Sequence, residues 1–168
     1  NTYYDGNNDT QKNSCTVSSI DFNEIEDATS VNINITEGTE SKVVLHTMSL
    51  KDVFSLKLKI PDYQRIYCWP QKNVEQLLDD IFIPRNHKYH LGTLILQKKS
   101  DDYDIIDGQQ RTVTLALILR AMCIDDILLL KEKFDSVEAQ RYVGYNRYII
   151  ETYLDRRCPD VEKRSKEA

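Results

Sequence analysis

The segment YDIIDGQQRTVTLALILRAM, residues 103–122, changes its hydrophobic period in the middle. Tyr103, Ile105 and Ile106 read as a short strand, whereas Leu115, Leu117, Ile118, Leu119 and Met122 read as a buried helix. Between them stand Asp107, Gly108, Gln109, Gln110 and Arg111. So short a connection, with a glycine followed by a helix start, collects polar side chains and free backbone N–H groups at one helix N-terminus, where anions bind. Asp107 stands where an N-cap aspartate would, and Gln110 three residues on completes a capping-box pattern. Capping gives no reason for Arg111, since a cation beside the positive end of a helix is unfavourable unless an anion is near. A triphosphate would supply that anion. The N–H groups of Gly108 to Arg111, with Thr112 behind them, would face phosphate oxygens, Arg111 would fork one phosphate, and Asp107 would hold Mg²⁺ or a water. From the residues alone, phosphate binding and simple capping both remain open.

Working outward, YHLGTLILQ and YDII are strand-like runs joined by the charged turn KKSDD, an antiparallel hairpin leading into the opening segment. Upstream, PQKNVEQLLDDI places Val74, Leu77, Leu78 and Ile81 on one helical face, with Pro70 in the first turn. Before it, IPDYQR supplies a second polar cluster after a strand: Tyr63, Gln64 and Arg65. The pairs Gln64-Arg65 and Gln110-Arg111 would converge on one polyanion if their strands are neighbours. Trp69 is expected to pack the following helix rather than stack a base.

Further upstream, SVNINITEGTESKVVLHT alternates Val31, Ile33 and Ile35, turns, and resumes at Val43 and Leu45, a hairpin pattern. Ser49 reads as the N-cap of a short helix through Leu50, Val53 and Phe54, which hands over to the strand KLKI. Downstream, DDILLLKEKF and VEAQRYVGYNRYIIETYL read as helical, with Tyr145, Tyr148, Ile149 and Tyr153 near helical spacing. Strands, a helix between strands, then helices predict an α+β fold. The expected organisation is a flexible arm over residues 1–20, a nucleotide-binding domain over 21–130 and a truncated helical extension over 131–168.

The 168 residues carry a net charge of −5, which disfavours a domain whose main task is sheathing nucleic-acid backbone. No apolar run reaches the roughly 18–20 residues of a membrane span. The opening residues lack the pattern of a secretory signal, and the absence of an initial Met suggests an excised segment. Cys15, Cys68, Cys123 and Cys158 are too irregularly spaced for a zinc site or a disulfide framework, so reduced thiols in a cytoplasmic protein are expected. His87 and His90 read as loop residues. No Ser-His-Asp triad, Walker lysine loop or nuclease cluster is present in the sequence.

The run IPDYQRIYCWPQKNVEQLLDDI, then YHLGTLIL, then YDIIDGQQRTVTLALILRAM resembles the domain of unknown function 262 family. That family occurs in the N-terminal part of GmrSD-type modification-dependent restriction enzymes and related phage-defence proteins. Asp107 to Arg111 carry its DGQQR hallmark intact, and Tyr63 to Arg65 its Tyr-Gln-Arg element, within a likeness covering Leu50 to Cys123. The resemblance implies a small ParB/sulfiredoxin-like mixed sheet with packed helices, and two boxes, Tyr63 to Arg65 and Asp107 to Arg111, sharing one nucleoside triphosphate. It further implies Mg²⁺-dependent hydrolysis that regulates DNA cleavage performed elsewhere; on that footing Asp107, Gln110 and Arg111 are the expected catalytic residues. Arg65 and Arg111 would neutralise phosphate charge, Asp107 would position Mg²⁺ or water, and Gln110 would orient the water. Expected partners are the nucleotide, DNA through the full-length protein, and a second copy or a nuclease subunit or domain, with no membrane. Two alternatives stay open: a nucleotide sensor without turnover, and a DNA- or protein-binding scaffold in which DGQQR is only a cap and polar network.

Overall fold

A computed structural model of the chain describes residues 22–37, 43–83, 86–124, 127–131, 134 and 136–157. The expected arm over 1–20 and the charged tail VEKRSKEA lie outside them. Strand β1 (Thr29–Glu37) buries Val31, Ile33 and Ile35 and leaves Asn32, Asn34 and Thr36 half-buried, the alternation that period-two geometry demands. It pairs antiparallel with β2 (Val43–Met48), as the hairpin pattern requires. A short helix, α1 (Phe22–Ala28), precedes β1; only Ile25 of it is buried, too little periodicity to announce itself in the sequence. After β2 come α2 (Leu50–Ser55), a two-residue strand β3 (Leu58–Lys59) and α3 (Gln71–Phe82). The buried face of α3 is the expected Val74, Leu77, Leu78 and Ile81, but Pro70 caps the helix rather than opening its first turn.

Strands β4 (Tyr89–Lys99) and β5 (Asp102–Asp107) form the expected antiparallel hairpin, and α4 (Gln109–Ala121) follows at once. The sheet order is β2-β1-β4-β5-β3, with β1/β4 and β3/β5 parallel, so the fold is α+β on a mixed five-stranded sheet. Two irregularities shape its site end. In β4 the partner register jumps from Ser30/His90 to Asn32/Thr93, which inserts one extra residue at Leu91–Gly92. That bulge is why Leu91 and Leu94, an odd number of residues apart, are both buried. In β5 the register jumps from Leu96/Ile105 to Ile95/Asp107, inserting Ile106.

Helix α4 is buried along Thr112 to Leu119, an all-round apolar helix. Its threonines fit because Thr112 Oγ1 donates to the Gly108 carbonyl at 2.7 Å and Thr114 Oγ1 to that of Gln110 at 2.9 Å. Leu128–Lys131 form a 3₁₀ turn, the flanking residues 125–126 and 132–133 of the run expected to be helical lying outside the described residues, and α5 (Val137–Arg157) packs against α3 and α4. The buried residues of α5 are Ala139, Val143, Asn146, Ile149, Ile150 and Leu154. Of the four residues read at near-helical spacing, Ile149 is buried and Tyr153 packs against the core, whereas Tyr145 is 52% and Tyr148 67% exposed. Tyr145 Oη donates to Gln71 at 2.8 Å and Tyr153 Oη to Asp79 at 2.8 Å, so these rings tie α5 to α3 at their polar ends. Cys123, left-handed just past α4, is disulfide-bonded, which corrects the expectation of free thiols throughout; Cys68 is free. Sequence spacing alone does not report which cysteines the fold brings together. No helix among the described residues is long and apolar enough to cross a membrane.

Candidate functional site

Three segments meet at one end of the sheet: the irregular run 64–69, the bulged start of β4, and the turn from β5 into α4. They enclose an open cleft of about 300 Å³. Gln64, Arg65 and Trp69 line it from the first, Thr93 from the second, and Asp107 to Arg111 from the third. Both Gln-Arg pairs are therefore neighbours in space, as their placement after strands β3 and β5 of one parallel pair dictates.

The glutamines hold the cleft together. Gln64 Nε2 donates to the carbonyl of Ile106, the residue inserted by the β5 bulge, at 3.1 Å. Gln109 Nε2 donates to the Arg65 carbonyl at 2.9 Å, and Gln110 Nε2 to the Ile66 carbonyl at 3.0 Å. Gln110 Oε1 accepts from Cys68 N at 2.9 Å. Four side-chain bonds thus stitch an irregular backbone to the start of α4, satisfying polar groups that no ladder reaches. Gln110 keeps one N–H and one lone pair uncommitted to these bonds.

The charges are arranged differently. Arg65 and Arg111 are both exposed, and among the described residues neither forms an ion pair. Arg111 lies across Gly92, where a Cβ would fall 1.8 Å from its Nη1. Gly92 has φ +121°, so the bulge backbone favours glycine, and a Cβ there would make the Arg111 guanidinium move aside.

Asp107 is the single carboxylate lining the cleft, and its Oδ1 accepts from the N–H of Gly108 at 2.9 Å. The capping-box reading is corrected here. The N-cap is Gly108 in the left-handed region (φ 95°), its N–H is taken by Asp107, and Gln110 reaches the 66–68 segment instead of turning back. No side chain caps α4 and no acid stands in its first turn, so the N–H groups of Gln109, Gln110 and Arg111 begin the helix uncapped. For Mg²⁺, one exposed carboxylate suits an ion held chiefly by phosphates, and no group of three or more candidate protein ligands exists among the described residues.

Beneath the cleft runs a directed hydrogen-bond chain. Thr114 gives its hydroxyl proton to the Gln110 carbonyl, so in the 2.7 Å bond between Thr114 and Tyr67 the phenol donates. Asn146 Nδ2 in turn donates to Tyr67 Oη at 2.9 Å and to the Trp69 carbonyl at 3.0 Å. Burial pushes the Tyr67 phenol above its ordinary pKa, partly offset by its bonds to Thr114 and Asn146.

Two expected residues are not in the lining. Tyr63 is 70% exposed outside it, and Thr112 is buried with its hydroxyl spent on Gly108. Trp69 and Thr93 line the cleft although nothing in the sequence reading placed them there. The signal for Trp69 was its position between the Gln-Arg element and the proline that opens α3. Gly92, breaking the alternation in YHLGTLILQ, was the signal for the bulge.

The arrangement defines a class: a small α+β domain with a polar, two-arginine cleft where its strands meet a helix start. Within that class, the chain belongs to the family of the GmrSD restriction endonuclease N-terminal domain, whose family model matches residues 49–167. Both Tyr63–Arg65 and Asp107–Arg111 lie inside the match. The membership makes this a restriction, phage-defence protein. No curated protein and no solved structure matches the chain.

Proposed function

We propose that the cleft binds the polyphosphate of a Mg²⁺–nucleoside triphosphate and that this nucleotide regulates the restriction activity of the system. The observation that carries the reading is the charge imbalance: two arginines without ion-pair partners among the described residues and an uncapped helix start share one cleft with a single carboxylate. Arg65 and Arg111 supply charge-assisted hydrogen bonds from opposite walls, and the N–H groups of Gln109, Gln110 and Arg111 take phosphate oxygens on the helix axis. Asp107, whose Oδ1 is engaged by the Gly108 N–H, would hold Mg²⁺ or a water through its remaining acceptor capacity. In turnover a water would attack the γ-phosphorus as its bond to the β–γ bridging oxygen breaks, releasing inorganic phosphate and the nucleoside diphosphate, with Gln110 assisting through its uncommitted N–H and lone pair. Mg²⁺, when bound, spreads the charge developing on the phosphates.

The commitment of Gln110 to Ile66 and Cys68 favours a second reading, a sensor that binds without hydrolysing. Calorimetry with and without Mg²⁺, comparing wild type with Arg111→Ala, tests the binding. Loss of one charge-assisted site is expected to weaken it roughly 10- to 100-fold. Phosphate release above the Arg111→Ala background separates hydrolysis from sensing. A folded wild type that binds no nucleotide overturns the proposal.

A further inference from the structure

We propose that Trp69 is the platform on which the nucleobase of the ligand stacks; this rests on the reading of the cleft as a polyphosphate site. Among the described residues lining the cleft, Trp69 is the one aromatic, all the others being polar, charged or glycine. Phosphates are met in full by arginines and N–H groups and have no use for an indole. An aromatic residue in the same cleft as two arginines matches a ligand that is charged at one end and aromatic at the other. Part of the indole packs against the core while the residue remains half-buried at the cleft.

The platform is held on several sides. The Trp69 carbonyl accepts from the fully buried Asn146 of α5, and the preceding N–H, that of Cys68, donates to Gln110. Tyr67 is fixed at its hydroxyl by Thr114 and Asn146, and Pro70 sets the following φ at −67°. A surface already ordered before the ligand arrives loses little entropy when the base lands on it. Stacking exploits a π-face that every base has, so the structure assigns Trp69 to affinity for nucleosides as a class and not to a choice among bases. At about 300 Å³ the cleft stands at the lower end of ligand pockets, roughly 300–1,000 Å³, room for the phosphates with the base laid over Trp69 at the mouth.

Trp69 is the only tryptophan of the chain, so its fluorescence reports on this position alone. The experiment titrates the full chain with ATP, UTP and inorganic tripolyphosphate, each with Mg²⁺, following fluorescence and calorimetry. Both nucleotides are expected to quench the indole and to bind roughly 10- to 100-fold tighter than tripolyphosphate. Trp69→Leu is expected to reduce both nucleotides to the tripolyphosphate affinity while leaving tripolyphosphate itself unchanged, and Trp69→Phe to retain most of the difference. Unchanged tripolyphosphate binding also certifies that the variant is folded; were Trp69→Leu not to fold, the wild-type contrast and Trp69→Phe decide. Equal affinity of nucleotides and tripolyphosphate in the wild type, or parallel weakening of all three in Trp69→Leu, overturns the platform and leaves the phosphate site standing. Binding of none of the three by folded wild type overturns the phosphate site and the platform together.

Discussion

Helices α2 and α4 begin with the same deficit of hydrogen-bond acceptors and meet it in opposite ways. At α2, Ser49 Oγ accepts from Asp52 N at 3.3 Å, the side chain of Glu26 accepts from Lys51 N, and Asp52 itself stands in the first turn. Its N-terminus is satisfied from within, with negative charge where the helix dipole favours it. At α4 there is no side-chain cap, no acid in the first turn and a cation, Arg111, instead. A chain that caps a six-residue helix so fully has the means to cap a thirteen-residue one. Helix α3 also starts without a side-chain cap or an acid in its first turn, so what sets α4 apart is that its open start shares a cleft with two arginines.

The sharpest way to break the contrast is Gly92→Ala. A Cβ there would meet Arg111 Nη1 at 1.8 Å, so the guanidinium must swing off the bulge, and φ +121° is a conformation that alanine adopts only under strain. The expected result is a stability loss of about 1–3 kcal/mol. Nucleotide affinity is expected to fall by less than for Arg111→Ala, roughly 3- to 10-fold, because the displaced guanidinium keeps its charge beside the cleft. Denaturant melts and calorimetry check the two halves. Wild-type affinity in Gly92→Ala would show that Arg111 does not need the glycine beneath it.

This is also where sequence legibility divides. The strand-to-helix switch at residues 103–122, the β4–β5 hairpin and the buried face of α3 are written in local periodicity, and the structure reproduces them. The parallel β1/β4 pairing and the two bulges are relations between distant segments, which local patterns do not encode. DGQQR marked the place of the cleft, yet its division of labour was hidden. Glutamine reads alike whether it faces a ligand or a backbone carbonyl 44 residues away, as Gln109 and Gln110 do. On α5 the same holds, since Asn146 sits among the buried residues as a polar tie to Tyr67 and Trp69 while Tyr145 and Tyr148 are exposed.

Tyr67→Phe tests what supports the open end of α4 from below. The change removes the phenol that donates to Thr114 and accepts from Asn146, leaving one Asn146 N–H without its buried partner. The expected stability loss is about 1–2 kcal/mol. A pH series isolates the group. Burial raises the Tyr67 pKa above the ordinary 10.0, so above that pH the folded state keeps a proton that the unfolded state releases. Its stability is therefore complete below pH 10 and declines as pH rises through the folded value. Lys99, raised chiefly by its hydrogen bond to Asp104, changes in the same direction in both proteins and cancels in the comparison. Wild type should lose stability more steeply than Tyr67→Phe above pH 10; parallel curves would mean that the phenol titrates normally.

Ser49→Ala addresses the closed end and is expected to have the smallest effect. Removing the side chain that receives Asp52 N should cost about 1 kcal/mol, seen as a lower denaturant midpoint with unchanged slope. The partial substitute from Glu26 to Lys51 N stays in place and limits the loss. Nucleotide affinity should be unaltered, since Ser49 does not line the cleft. Should Ser49→Ala weaken nucleotide binding as Gly92→Ala is expected to, the two helix starts would be energetically coupled, and the open end of α4 could no longer be treated as a local device.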